Sequence, residues 1–136
     1  MAITAPDYEV QLEATAVKVR FNTASTLHLY KNNPTIDESV TIATFTEANY
    51  AGYADVPLTG DWSAPAQQAP GDYYVSSPAV TFAAPTSGTQ TIYGWWVDDG
   101  TGVLACEAFA SPITLASGSP GFSLQVNYEV IAKILV

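Results

Sequence analysis

The strongest hydrophobic pattern in the chain is a pair of apolar runs, residues 91–97 and 103–109, separated by the acidic and glycine-containing stretch 98–102. The runs are rich in β-branched and aromatic side chains, which favour a pleated, half-buried strand. Acidic and glycine residues between two such runs are typical of a hairpin loop of about 3–5 residues. The pattern therefore predicts a β-hairpin, and we expect the rest of the chain to be organised around it.

Two segments near the ends of the chain alternate apolar and polar residues with the period of a strand. In residues 8–16 and in residues 122–130, every second residue is apolar. A strand is the preferred interpretation of both segments. For the first, the alternative is a helix opened by Pro6 and Asp7, with Asp7 as the N-cap.

Shorter apolar runs between turn residues predict the remaining strands, at residues 26–30, 40–46, 53–58, 72–76, 79–83 and 111–116. Roughly nine strands, with turn signals about every 8–12 residues, indicate an all-β fold: an antiparallel β-sandwich, a jelly roll or a small barrel. A length of 136 residues is typical of one domain, so residues 1–136 are predicted to form a single β domain. The N-terminal segment 1–21 and the C-terminal segment 122–136 are candidates for pairing with a neighbouring subunit by strand addition.

Charge narrows the range of partners. Thirteen acidic residues against four basic ones leave a net charge of −9, so the chain repels phosphate groups, and we expect neither nucleic acid nor a membrane as a partner. Only 12% of the residues are charged, and so apolar a domain is expected to cover part of its surface with another protein. The sequence has no Sec signal pattern and no apolar run of about 18 residues, which predicts folding in the cytoplasm.

Few residues are candidates for catalysis or metal binding. His28 is the only histidine and Cys106 the only cysteine, so a nucleophile–histidine pair or a metal cluster of these residue types would have to use them. His28 lies between two leucines of a predicted strand and is expected to be an ordinary polar residue on the opposite face. Asp98 and Asp99 are possible ligands of a hard cation, but an acidic loop with glycines is more often a plain turn. We predict no enzyme, no catalytic residue, no cofactor and no metal, with a small hydrolase as the weakest alternative.

Aromatic side chains are the candidates for an interface. Adjacent residues of a strand point to opposite faces, so one of Trp95 and Trp96 is expected in the core and the other at an exposed contact. Trp62, in a predicted surface loop at residues 61–71, is expected to be exposed as well. The full set of interface candidates is Trp62, Trp95, Trp96, Tyr73, Tyr74, Phe122 and Tyr128. The alternatives are that these rings are core residues, or that the tryptophans form a platform for sugars with Tyr73 and Tyr74.

The order of several short motifs resembles that of small structural proteins of tailed bacteriophages. The resemblance covers about residues 27–126. The motifs are Leu27-His28-Leu29-Tyr30-Lys31-Asn32-Asn33-Pro34-Thr35, Phe45-Thr46-Glu47-Ala48, Gly52-Tyr53, a lone Trp62, Val80-Thr81-Phe82, Ile92-Tyr93-Gly94-Trp95-Trp96 and Cys106-Glu107-Ala108-Phe109. The N-terminal segment departs from the resemblance, because related sequences begin with a helix where this one predicts a strand.

The resemblance implies a structural role, since proteins of this group are mostly virion or head-region proteins without assigned chemistry. We therefore expect a capsid decoration (cement) protein on the surface of the phage head, assembled in the host cytoplasm. Its expected partners are the major capsid protein and further copies of itself. The alternative is a carbohydrate-binding or receptor-binding module of a tail fibre or spike.

Overall fold

The computed structural model of the chain describes residues 7–131. Over these residues the structure is mostly β and every strand pair is antiparallel, which confirms the predicted all-β, antiparallel fold class. The elements are α1 (Asp7–Thr23), β1 (Thr26–Tyr30), a 3-10 helix (Ile42–Thr44), β2 (Val56–Pro57), β3 (Ala66–Ala69), β4 (Asp72–Ser76), β5 (Val80–Phe82), β6 (Thr89–Asp98), β7 (Val103–Ala116), β8 (Phe122–Leu124) and β9 (Asn127–Ile131). None of the described helices is long and apolar enough to cross a membrane.

The chain forms two compact units whose segments alternate along the sequence. The first unit comprises Met1–Thr23, Leu58–Pro78 and Gln125–Val136, of which residues 7–131 are described. The second unit comprises Ala24–Pro57 and Ala79–Leu124.

The second unit is built on a four-stranded sheet in the order β2-β1-β6-β7, which contains the predicted hairpin as β6 and β7. Side chains are buried on both faces of this sheet: Leu27, Leu29 and Val97 are fully buried on one face, and Tyr30 and Trp96 on the other. A two-stranded sheet of β5 and β8 belongs to the same unit. Ring contacts join it to the larger sheet and the loop before β2, with Phe109 and Phe122 5.4 Å apart and Tyr53 and Phe82 6.1 Å apart. The arrangement within this unit is therefore sandwich-like.

The first unit packs α1 against a three-stranded sheet in the order β3-β4-β9. Val10, Ala14 and Phe21 are buried, and their spacing of four and seven residues places them on one side of a helix. The Phe21 ring lies 4.6 Å from that of Trp62 and 5.2 Å from that of Tyr128, both edge-on. The Trp62 backbone N–H also donates to Oδ1 of Asn22, so the end of α1 and the loop that carries Trp62 are held together.

The strand predicted at residues 8–16 is wrong, because this segment lies in α1, as the alternative interpretation proposed. A helix buries Val10, Ala14 and Phe21 in one stripe, and no glycine or proline interrupts the segment between Asp7 and Thr23. An N-terminal interaction strand at 1–21 is therefore wrong for residues 7–21. Residues 1–6, including Pro6, lie outside the described part of the chain, as do residues 132–136.

Other boundaries also differ from the prediction. Residues 40–46 contain a 3-10 helix in place of a strand, closed by a hydrogen bond from the Thr44 N–H to the Thr41 carbonyl. The predicted loop at 61–71 contains β3, and residues 111–116 continue β7 without forming a separate strand.

The C-terminal strand predicted at residues 122–130 is interrupted at Gln125 and Val126. Both halves pair within the chain, β8 with β5 and β9 with β4. At the interruption, the Val126 N–H donates to Oγ of Ser77 and the Val126 carbonyl accepts from the Ser77 N–H. At this interruption these hydrogen bonds take the place of strand pairing. The boundary between the two units also falls here, between Leu124 and Gln125.

Candidate functional site

The three tryptophans are all buried, which overturns the expectation that Trp62 and one of the adjacent pair are exposed. Trp62 retains 4% of its accessible surface, Trp95 8% and Trp96 3%. The adjacent tryptophans do point to opposite faces, but both faces of β6 are covered. The tryptophan rings therefore offer no exposed face for the alternative of a sugar platform. Tyr73, Tyr74, Phe122 and Tyr128 are half-buried, and an interface role for them stays a prediction.

His28 lies at the centre of a polar cluster in the second unit. It was expected to be an ordinary polar residue, and it is instead 92% buried in β1. Its Nδ1 is 2.7 Å from Oε1 of Glu47 and 3.7 Å from Oδ2 of Asp55. On the other side of the ring, Nε2 is 2.9 Å from Oδ2 of Asp98, without the alignment of a hydrogen bond. Carboxylates thus face both nitrogens of the imidazole.

Asp98 is part of the core of this cluster. It is 8% exposed, although the sequence predicted a solvated turn for it. Its Oδ2 accepts a hydrogen bond of 2.8 Å from Nε1 of Trp96, and its Oδ1 accepts one of 2.9 Å from the Gly100 N–H. The Trp96 ring also stacks on the His28 ring, with centroids 4.4 Å apart. Asp98 therefore joins the hairpin loop to the sheet, whereas Asp99 is exposed and accepts only from backbone N–H groups of the loop among the hydrogen bonds described for it.

Tyr53 connects the same cluster to the backbone of β1. Its hydroxyl donates to Oε1 of Glu47 and accepts from the Leu29 N–H, at 3.0 and 3.1 Å. Burial raises the pKa of Tyr53 well above its ordinary value, and the nearby charges of Glu47 and Asp55 act in the same direction. The hydroxyl is therefore neutral under physiological conditions, when it can act as donor and acceptor together.

His28, Glu47 and Asp55 are the described side chains that could hold a metal ion. One ligand atom from each lies within 4.8 Å of the others, and the two carboxylates are exposed on their outer side. An imidazole nitrogen and two carboxylate oxygens suit a divalent transition metal. A cation there would have to replace the existing contact between His28 and Glu47. We therefore interpret the cluster as a structural polar network.

Several residues that carry the phage resemblance have structural roles in the second unit. Tyr30, Phe45 and Trp96 form a buried aromatic cluster, against which Ile36, Val40, Tyr93, Val103 and Cys106 pack. The Asn32 side chain accepts from the Thr46 N–H and donates to the Thr44 carbonyl, and so closes the loop after β1. The motifs from residue 27 to residue 109 thus supply packing and hydrogen bonds, and their spacing in the sequence gave no sign that Glu47 and Asp55 would meet His28.

Gly94 makes room for one of these contacts. The Tyr30 hydroxyl crosses β6 beneath Gly94 and donates to the Glu107 carbonyl at 3.1 Å. A Cβ atom at Gly94 would lie 2.1 Å from that carbonyl oxygen and 2.3 Å from the hydroxyl, so the close approach requires glycine. Burial, together with the charges of Cys106 and Glu107, raises the pKa of Tyr30 to about 12.

An amide-rich cavity of about 570 Å³ opens on the sheet of the first unit. Its lining is formed by Gln67, Gln68, Tyr74, Ser76, Gln125, Asn127 and Glu129. A hydrogen bond with Asp72 and the repulsion between the two carboxylates raise the pKa of Glu129. Amide, hydroxyl and carboxyl groups around one aromatic ring can bind a small polar ligand through several hydrogen bonds. The sequence pointed to Tyr74 but not to the amides, which come from two separate segments.

Two surfaces among the described residues are candidates for contact with another molecule. The first is the outer edge of β7, which pairs only with β6 and is the end strand of its sheet. The second is a row of apolar residues on α1, opposite the buried ones. We call this row the exposed stripe; it consists of Tyr8, Leu12, Ala16 and Val19, with Tyr8 67%, Leu12 46% and Val19 60% exposed.

Comparison with known proteins identifies no relative of the chain. No family model, no curated protein and no solved structure matches it.

Proposed function

We propose that the chain is a structural protein of a bacteriophage virion, most specifically a capsid decoration protein that binds and stabilises the shell formed by the major capsid protein. On this proposal it has no catalytic role and is located on the outer surface of the phage head.

The observation that carries the proposal is the open edge of β7. This strand runs for 14 residues, from Val103 to Ala116, and most of its residues from 107 to 112 are exposed. An open strand edge is a ready template for pairing with a strand of another protein. Four residues of β7, 109–112, form a bulge opposite Tyr93 alone. One of them is Pro112, which has no backbone N–H to donate to a neighbouring strand. The segment between the two register shifts, residues 105–108, is therefore the part of the edge best suited to contact the shell.

The body of the second unit supports the same proposal. The only histidine of the sequence has carboxylates on both sides of its ring, and the motif residues are used for packing. A decoration protein needs such a rigid body, because each contact with the shell is weak and many copies act together. The helix α1 also removes a departure from the phage resemblance, because the related sequences begin with a helix.

The test is to count the chain in purified virions of the phage that encodes it, by quantitative mass spectrometry. We expect a copy number in a fixed ratio to that of the major capsid protein, and binding of the purified chain to shells that lack it. Ala108→Lys places a charge on the exposed edge of β7 and should weaken shell binding at least about tenfold. Ala54→Lys makes the same change at an exposed loop position and should leave binding intact. Absence of the chain from virions, or equal binding by both variants, would refute the proposal.

A carbohydrate-binding or receptor-binding module of a tail fibre or spike is a second candidate, and the amide-rich cavity favours it. Its volume is within the range of small-molecule sites, about 300–1,000 Å³, and its amides offer both donors and acceptors to sugar hydroxyls. The Tyr74 ring supplies an apolar face with a polar tip. Glycan-array binding that is lost in Gln68→Ala and Tyr74→Ala, and retained in the helix variant Gln11→Ala, would favour this candidate over a decoration protein.

A further inference from the structure

The exposed stripe of α1 is unusual for a helix at the surface of a domain. Such helices normally place polar residues on the side away from the core. In α1 the exposed stripe and the row of buried residues lie about 180° apart around the helix axis, since each residue advances about 100° around it. The buried row packs on the sheet of the first unit, whereas the exposed stripe leaves Tyr8 and Val19 more than half exposed. Contiguous apolar surface of this kind marks a contact with another molecule.

The charges of α1 have opposite signs at its two ends. Glu9 and Glu13 lie in the N-terminal half, and Lys18 and Arg20 in the C-terminal half. These are two of the four basic residues of a chain whose net charge is −9. Two copies of so acidic a chain repel each other in most orientations, so an orientation that brings basic residues onto acidic ones is strongly favoured over the rest.

Because its acidic residues precede its basic ones, α1 is complementary in charge to a second copy of α1 that runs in the opposite direction. Glu9 and Arg20 lie on the same flank of the exposed stripe, about 100° and 120° around the axis from Tyr8. When two identical helices pair antiparallel about a two-fold axis, each flank faces the same flank of the other copy in the opposite direction. When the two-fold axis crosses the exposed stripe at the level of residue 14 along the helix, Glu9 faces Arg20 of the second copy. In the same register Tyr8 packs on Val19 of the second copy, and Leu12 packs over the small side chain of Ala16.

We propose that the exposed stripe of α1 is a self-association surface, occupied by the α1 helix of a second copy in an antiparallel, two-fold arrangement. A single helix pair about 25 Å long is a small interface, so we expect a weak dimer, with a Kd of about 10 µM to 1 mM. Copies held close together on a particle would associate far more completely through this contact. The inference goes beyond the proposed function and does not depend on the β7 edge.

Charge reversal tests the arrangement, with the Kd measured by analytical ultracentrifugation at low salt. Glu9→Arg alone and Arg20→Glu alone should each weaken self-association about fivefold to thirtyfold, because each turns two attractive contacts of the dimer into repulsive ones. The double variant should restore the original Kd to within about threefold, since the two new charges face each other across the axis. Glu38→Arg changes the net charge by the same amount as Glu9→Arg, at an exposed site outside α1, and should not weaken association.

Circular dichroism of each variant distinguishes loss of the helix from loss of the contact, because a disrupted helix would not be rescued by the second reversal. Val19→Asp, which removes apolar surface and leaves the charge pattern of Glu9 and Arg20 unchanged, should also abolish the dimer. Four results would overturn the proposal. The first is a wild-type chain that stays monomeric to about 1 mM, and the second is a double variant that is no better than the single ones. The third is self-association that appears only after removal of residues 132–136, which would identify the chain's own end as the occupant. A Val19→Asp variant that loses shell binding but keeps its self-association would assign the stripe to the shell and would also overturn it.

Discussion

Removal of the Asp98 carboxylate should destabilise the protein far more than the same change at the neighbouring Asp99. Asp98 is 92% buried and accepts hydrogen bonds from the Trp96 indole and the Gly100 backbone, while its Oδ2 lies 2.9 Å from Nε2 of His28. Asp98→Ala would leave the indole N–H buried without its acceptor and remove a charge that faces the imidazole.

The size of the effect follows from these contacts. A buried donor without a partner costs about 1–3 kcal/mol. Asp98→Ala leaves the Trp96 indole N–H without its acceptor and also removes the acceptor of the Gly100 N–H, so we expect a total of about 3 kcal/mol. Asp98→Asn retains one acceptor oxygen where two are used and should cost about 1–2 kcal/mol. With a urea m-value of about 1.5 kcal/mol/M, the alanine variant should unfold about 2 M earlier.

The assay is equilibrium unfolding in urea, followed both by tryptophan fluorescence and by circular dichroism, because Asp98 contacts Trp96 and its removal changes the fluorescence directly. Asp99→Ala is the matched control. It lies in the same loop and accepts from the Thr101 and Gly102 N–H groups, but it is exposed, so water can replace the lost contacts. If the two alanine variants have the same midpoint, Asp98 does not have the role in the core that its contacts indicate.

Three further predictions concern the same sheet. Gly94→Ala should lower the free energy of unfolding by about 2–4 kcal/mol in the same assay, because its Cβ meets the Glu107 carbonyl and displaces the Tyr30 hydroxyl, whereas Gly102→Ala, with open space around it, should be nearly neutral. Stability should fall as the pH rises from about 10 to about 12, since the unfolded chain ionises Tyr30 at its ordinary pKa and the folded chain only near 12; pH-dependent unfolding that is complete below 10 would contradict this. Burial raises the pKa of the Cys106 thiol, so iodoacetamide should label it slowly at neutral pH and rapidly after urea unfolding, and equal rates would show that the thiol is accessible.

The hairpin of β6 and β7 could be predicted from the sequence because its signals are local. Two runs of β-forming residues and the glycines between them specify a turn without reference to the rest of the chain. The same local reasoning failed for α1. The apolar residues between 8 and 16 satisfy a period of two, and a subset of them, Val10 and Ala14, also satisfies a helical spacing. Packing of that subset with Phe21 on the first unit's sheet decides in favour of the helix.

For the candidate site residues, the sequence predicted less than it did for the fold. Period two correctly placed Trp95 and Trp96 on opposite faces of one strand, but only the tertiary structure decided that both faces are covered. His28 was recognisable as the only histidine. Its carboxylate partners come from segments separated from β1 by tens of residues, and no pattern along the chain indicates which loops fold over which strand.

By itself, the sequence determined the fold class, the central hairpin and the strongly acidic character of this protein, because local backbone preference, turn chemistry and net charge are properties of neighbouring residues or of composition. Only the tertiary structure decided the helix α1, the burial of all three tryptophans, the position of His28 among carboxylates, and the exposed surfaces at β7 and α1. The physical reason is that burial and charge pairing depend on which distant segments exclude water from a side chain. The hydrophobic pattern of a sequence indicates burial only where its period fits one kind of element, helix or strand, and not the other.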